Sequence, residues 1–126
     1  MILLTVAQGQ DDKYLTNGDP NGLMWNEMPD LMKSSVVMGM QIGRGVVTAW
    51  MLQTQPQCRE LVNADAKWPN LSNAALAKEV DVLYDNNPAN LKLPIRTAMI
   101  YVLMKITGVA DKDLEKFRTN VLQSLK

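Results

Sequence analysis

A proline-free segment between Pro29 and Pro56 constrains this chain more than any other feature. It is far longer than an ordinary strand and shows no strand-like alternation. The spacing predicts a helix from Pro29 or Asp30 to about Gln53. Proline suits a first helical position, where no amide donor is needed, and Pro56 marks the end. At about 100° per residue, Asp30, Lys33, Ser34, Gln41, Arg44 and Thr48 share one stripe with Val37 and Met51. The rest of the circumference is mostly apolar, including Leu31, Met32, Val36, Met38, Ile42, Val46, Val47 and Trp50. A helix apolar over most of its surface is expected to be central and buried.

Gly39 and Gly43 lie four apart on one face of that helix, with Gly45 on another. Each costs a helix about 1 kcal/mol relative to alanine, so each needs a reason. Close approach of another helix backbone is one. A partner or ligand approaching Arg44 between Gly43 and Gly45 is a second, and a local kink a third. Gly43–Arg44–Gly45 is not a phosphate loop, because it lies mid-helix with no strand before it.

Upstream, Asn17–Gly18 and Asp19–Pro20 are turn signals, and Asn21–Gly22 can open a short helical turn carrying Leu23, Met24 and Trp25. Residues 54–71 read as a long polar connection holding Pro56, Cys58, Trp68 and Pro69, pinned to the core by Leu61, Val62 and Trp68. It exceeds the usual helix connection, and long loops are where function tends to sit. A second helix is expected from near Ser72, its cap, to near Asp85. Leu76, Val80 and Leu83 mark its buried face, and Lys78, Asp81 and Asp85 face out. A third begins at Pro94 and runs to about Thr107 on Ile95, Ala98, Met99, Val102 and Ile106, with Gly108 as its stop. A fourth follows a capping Asp111, with Leu114, Phe117, Val121 and Leu125 on one face and charged residues, Arg118 among them, on the other.

Between the second and third helices, Tyr84 to Pro94 form a stiff corner. Tyr84 is expected to donate a hydrogen bond across it, and Asn90 to cap the next turn or bond loop amides. Pro88 and Pro94 fix the path in and out. The expected fold is all-α, a single-domain bundle of four main helices around the central glycine-containing helix, spanning residues 10–126.

Thirteen basic residues balance thirteen acidic ones. Phosphate neutralisation demands a basic excess, so no nucleic acid is expected as a partner. There is no histidine and one cysteine, Cys58. The commonest general base and metal ligand is therefore missing, as are an intramolecular disulfide and a cysteine-cluster zinc site. No metal, cofactor or catalytic activity is expected. Arg59 could lower the Cys58 pKa, but no histidine is there to serve as its base. Asp81 and Asp85 could do acid–base work or hold calcium, yet on the outer side of an amphipathic helix a solvated face is the stronger reading. The nine methionines fill a core or form an adaptable partner surface.

Met1–Ile2–Leu3–Leu4–Thr5–Val6–Ala7 is apolar, and Ala7–Gln8–Gly9 fits a small-x-small cleavage pattern. Residues 1–9 read as the remnant of a signal peptide, which places the protein in the periplasm or outside the cell. The other reading is a short native strand or helical turn, cytoplasmic if Met1 is the true start. No run approaches the roughly 20 apolar residues of a membrane span.

The layout Gly22-x-x-Trp25, Met28, Lys33, Val37-x-Gly39 and Gly43, then Leu83-Tyr84-x-x-Asn87-Pro88-Ala89-Asn90-x-x-x-Pro94-Ile95, then Lys105-Ile106-x-Gly108, resembles a group of small exported all-α bacterial proteins. More distantly it is similar to the Tai-type immunity domains of type VI secretion, which bind and neutralise a toxin. Those typically carry disulfide cysteines, and this chain has Cys58 alone. The resemblance implies a non-catalytic exported protein that binds an as yet unknown protein partner. Gly39, Gly43, Arg44 and Trp68 are its candidate contacts, and Trp25, Lys33, Tyr84, Pro88, Asn90 and Pro94 its structural motif. The alternative is a small apolar ligand held between the glycine face and the 54–71 loop.

Overall fold

The computed structural model describes residues 12–55, 57, 59 and 71–125, and the structural statements below concern those residues. The fold is an all-α single domain. A 3-10 turn, Asp12–Tyr14, leads into two short antiparallel strands, β1 (Leu15–Thr16) and β2 (Asp19–Pro20), with Leu15 opposite Pro20. Asn17 and Gly18 make the turn at φ 51° and 84°, a left-handed pair that Asn-Gly adopts readily in a two-residue hairpin.

Asn21 caps α1 (Gly22–Glu27), its Oδ1 accepting from the amides of Leu23 at 3.0 Å and Met24 at 3.4 Å. Next come α2 (Asp30–Thr54), α3 (Asn73–Asn86), a 3-10 turn (Pro88–Lys92), α4 (Ile95–Ile106) and α5 (Asp111–Ser124). Ser72 caps α3 by accepting from the Ala75 amide at 3.1 Å. Pro29 and Pro94 stand one place outside their helices, at the cap. Asp111 is the first helical residue of α5 and not its cap, where its charge still suits the positive end of the helix dipole. Gly108, at φ 90°, ends α4, and the amides of Gly108 and Val109 turn back to the carbonyls of Lys105 and Met104.

The core joins Trp25, Val37, Leu93 and the inner faces of α3 and α4. α3 buries Leu76, Ala77, Val80, Leu83 and Tyr84; α4 buries Ile95, Ala98, Met99 and Val102. α2, the longest helix, buries only Lys33 and Val37. The packed centre is therefore α3, and α2 lies along its side. The face that α2 turns inward also differs from expectation. Its polar stripe faces α3, with Ser34, Gln41, Arg44, Thr48 and Met51 half-buried beside Lys33 and Val37. The apolar circumference faces outward: Leu31 is 81% exposed, Ile42 61% and Trp50 59%. The reason lies on α3, which offers polar partners. Lys33 Nζ donates to Asp81 at 2.7 Å, and Gln41 Nε2 donates to Asn73 Oδ1 at 2.7 Å.

Candidate functional site

The sequence motifs separate into two places. Trp25, Lys33, Tyr84, Asn90 and Pro94 are buried and build the interior. Gly39 and Gly43 lie on the open side of α2.

The interior begins with Asp81, which the sequence pattern had assigned to a solvated face. Its Oδ1 accepts from Trp25 Nε1 at 2.7 Å and from Lys33 Nζ at 2.7 Å. The Lys33 ammonium also stands 5.6 Å from the Trp25 ring centroid, within cation–π range. The side chains of Lys33 and Asp81 are 11% and 31% exposed. One carboxylate oxygen thus ties α1, α2 and α3 together, and these groups are committed to one another. Asp85, one turn on, is exposed as expected.

The corner is a second bonded unit. The Tyr84 hydroxyl donates to the Leu93 carbonyl at 3.0 Å, across the turn as expected. Burial pushes that hydroxyl's pKa well above its ordinary value. Asn87 Oδ1 accepts from the Ala89 amide, and Pro88 begins the 3-10 turn. Asn90 does more than cap: its Nδ2 donates to the Leu83 carbonyl at 2.7 Å, and its Oδ1 accepts from Arg118 Nη1 at 3.0 Å. Arg118 is half-buried, so it belongs to this network and not to a solvated face. Its hydrogen bonds to Glu115 hold the Glu115 carboxyl below, and the guanidinium above, their ordinary pKa ranges.

Asp81, Arg118 and Gly22, which is buried at the start of α1, were missed as members of the interior. The clue to Asp81 was Val37, an apolar residue in the middle of the polar stripe of α2, which marks that stripe as inward-facing. Gly22 and Arg118 left no comparable local signal.

The open side of α2 is the candidate contact surface. Met32, Val36, Gly39, Gly43, Val47 and Trp50 follow one another at helical spacing on it, joined by Met40 and Val46; Val36 and Met40, at its edge, are half-buried against the core. None is charged. At Gly39 and Gly43 a β-carbon would meet nothing within 4 Å among the described residues, so the expected close approach of another helix of this domain is not found there. Arg44 lies on the inward side, apart from the glycine face. Trp68 and most of the 54–71 connection lie outside the described residues, as do Cys58 and the 1–9 segment. Val36 and Met40 also border an apolar recess of about 190 Å³, completed by Asp19, Pro20, Met28, Ile95 and Arg96. Met32 and Met38 are exposed, whereas Met99 is buried and Met28 and Met40 pack half-buried against the core, so the described methionines serve both core and surface.

Among the described residues, no helix is long and apolar enough to cross a membrane, and no group of histidine, cysteine, aspartate or glutamate side chains is arranged to hold a metal ion. No protein-family model, curated protein or solved structure matches the chain.

Proposed function

We propose that this protein is a non-catalytic, exported bacterial protein that works by binding another protein through the uncharged stripe of α2. The observation that carries this reading is the long helix whose apolar side is left uncovered by the described residues. Monomeric proteins rarely expose continuous apolar patches larger than a few hundred Å², and larger ones mark contact surfaces. Exposed methionines add adaptability to such a surface. Export and an immunity-like role, in which the partner is a toxin, rest on the likeness of the Trp25–Gly43 and Tyr84–Pro94 motifs to small exported helical proteins.

The test compares immobilised wild-type protein with Trp50→Glu on periplasmic extract, alongside fractionation of cells expressing the native gene. A partner retained by the wild type and lost with Trp50→Glu is the expected result. Identical retention by both proteins overturns the contact assignment, and recovery in the cytoplasmic fraction overturns export. The alternative, a small apolar ligand held between the glycine face and the 54–71 loop, falls mostly outside the described residues. The recess of about 190 Å³ beside Val36 and Met40 is a separate hollow and suits a single protruding side chain.

A further inference from the structure

We infer that the occupant of the α2 stripe is the same stripe of a second copy of this chain, packed antiparallel about a two-fold axis at Gly43. The dimer rests on reading the stripe as a protein contact; a heterologous partner on the same stripe competes with the second copy.

Shape is the first support. Gly43 is the low point of the stripe, with open space where a β-carbon would stand. Trp50 protrudes about two helical turns to one side. Val36, on the rim of the apolar recess, lies the same number of residues to the other. An axis at Gly43 brings each Trp50 over the other copy's Val36 and recess, and sets glycine on glycine so that the backbones approach closely. An isologous contact requires this symmetry of protrusion and hollow.

Charge is the second support. Between Lys33 and Arg59 the only charged residue is Arg44, and it lies on the inward side. The stripe carries nothing to steer it toward a charged partner and nothing to repel its own copy. Area is the third. A helix of 25 residues is about 37 Å long. A contact running its length, with Met32, Val46, Val47 and Trp50 all exposed, makes a small interface, at the low end of the specific range, as suits a dimer that dissociates on dilution.

Sedimentation velocity on the full chain over micromolar concentrations tests this. The expected species has about twice the 14.1 kDa chain mass and dissociates on dilution. Gly43→Leu fills the low point at an exposed helical position, so the monomer keeps its circular dichroism while dimerisation weakens at least about thirtyfold. Trp50→Lys has the same effect, as loss of an aromatic anchor does. In a Cys58→Ser background, Gly43→Cys forms an intermolecular disulfide and Lys78→Cys, on the exposed face of α3, does not. A wild type that stays monomeric throughout overturns the dimer, as it would if another part of the chain covered the stripe; the separate extract comparison still judges heterologous binding. A dimer indifferent to both stripe variants also overturns it, by placing the interface elsewhere.

Discussion

At Gly22 a β-carbon would lie 2.5 Å from two ring atoms of Tyr84 and 2.9 Å from the Leu91 Cα. The backbone neighbour cannot swing aside, so Gly22→Ala is expected to cost about 2–3 kcal/mol, read as a lower urea midpoint. Asp81 offers a sharper contrast. Asp81→Ala strands the Lys33 ammonium and the Trp25 indole N–H together, at an expected cost of about 3 kcal/mol. Lys33→Met replaces the ammonium with an apolar chain of similar length and leaves Asp81 bonded to Trp25, so it should cost less than half as much. Equal losses in urea titrations would show that Asp81 is not the common acceptor. Tyr84 gives a pH signature. Its pKa is raised on folding, so its contribution is complete below the ordinary value near 10 and is lost as pH rises beyond it. Tyr84→Phe is expected to cost about 1–2 kcal/mol at neutral pH, with the gap to the wild type closing above about pH 10. A gap constant to pH 11 would contradict the buried hydroxyl.

Among the elements, α2 departs most from its sequence reading. The angular sorting of its residues was legible: Lys33, Val37, Arg44 and Thr48 do share a side. Which side would be covered was not, because periodicity separates two faces without saying which one finds a partner. Gly45 tests the consequence. It is exposed, helical and free of neighbours within 4 Å among the described residues, so Gly45→Ala should stabilise by about 0.5–1 kcal/mol through helix propensity. Loss of thermal stability in that variant would mean that something packs on the glycine. α3, α4 and their corner were far more legible. Ser72, Gly108 and the buried positions of both helices stand where the spacing put them, since caps and three-four periodicity are local properties.

For the molecule as a whole, stability is distributed unevenly. α3 is packed against α2, α4 and the corner, whereas α2 beyond Gln41 has one side open among the described residues. Hydrogen exchange should therefore be slowest in α3 and α4. Exchange across residues 42–54 should slow as protein concentration rises, because a second copy covers them, while α3 stays unchanged. Concentration-independent exchange in 42–54 would count against self-association.

The sequence alone determined the helical segments, most of their ends, a turn at Asn17–Gly18 and the stiffness of the Tyr84–Pro94 corner. Each depends on residues within a turn or two of one another. Only the tertiary structure decided that α3 is the centre, that Gly22 must leave room for Tyr84, that Arg118 reaches Asn90 and that α2 turns its polar side inward. The last outcome hinges on Asp81, which lies 48 residues from Lys33 and 56 from Trp25. A carboxylate at that distance leaves no trace in local periodicity beyond Val37, the apolar residue that interrupts the polar stripe. Once the chain has folded, bonding to it holds the polar side of α2 against α3, and the described residues leave much of the apolar side uncovered.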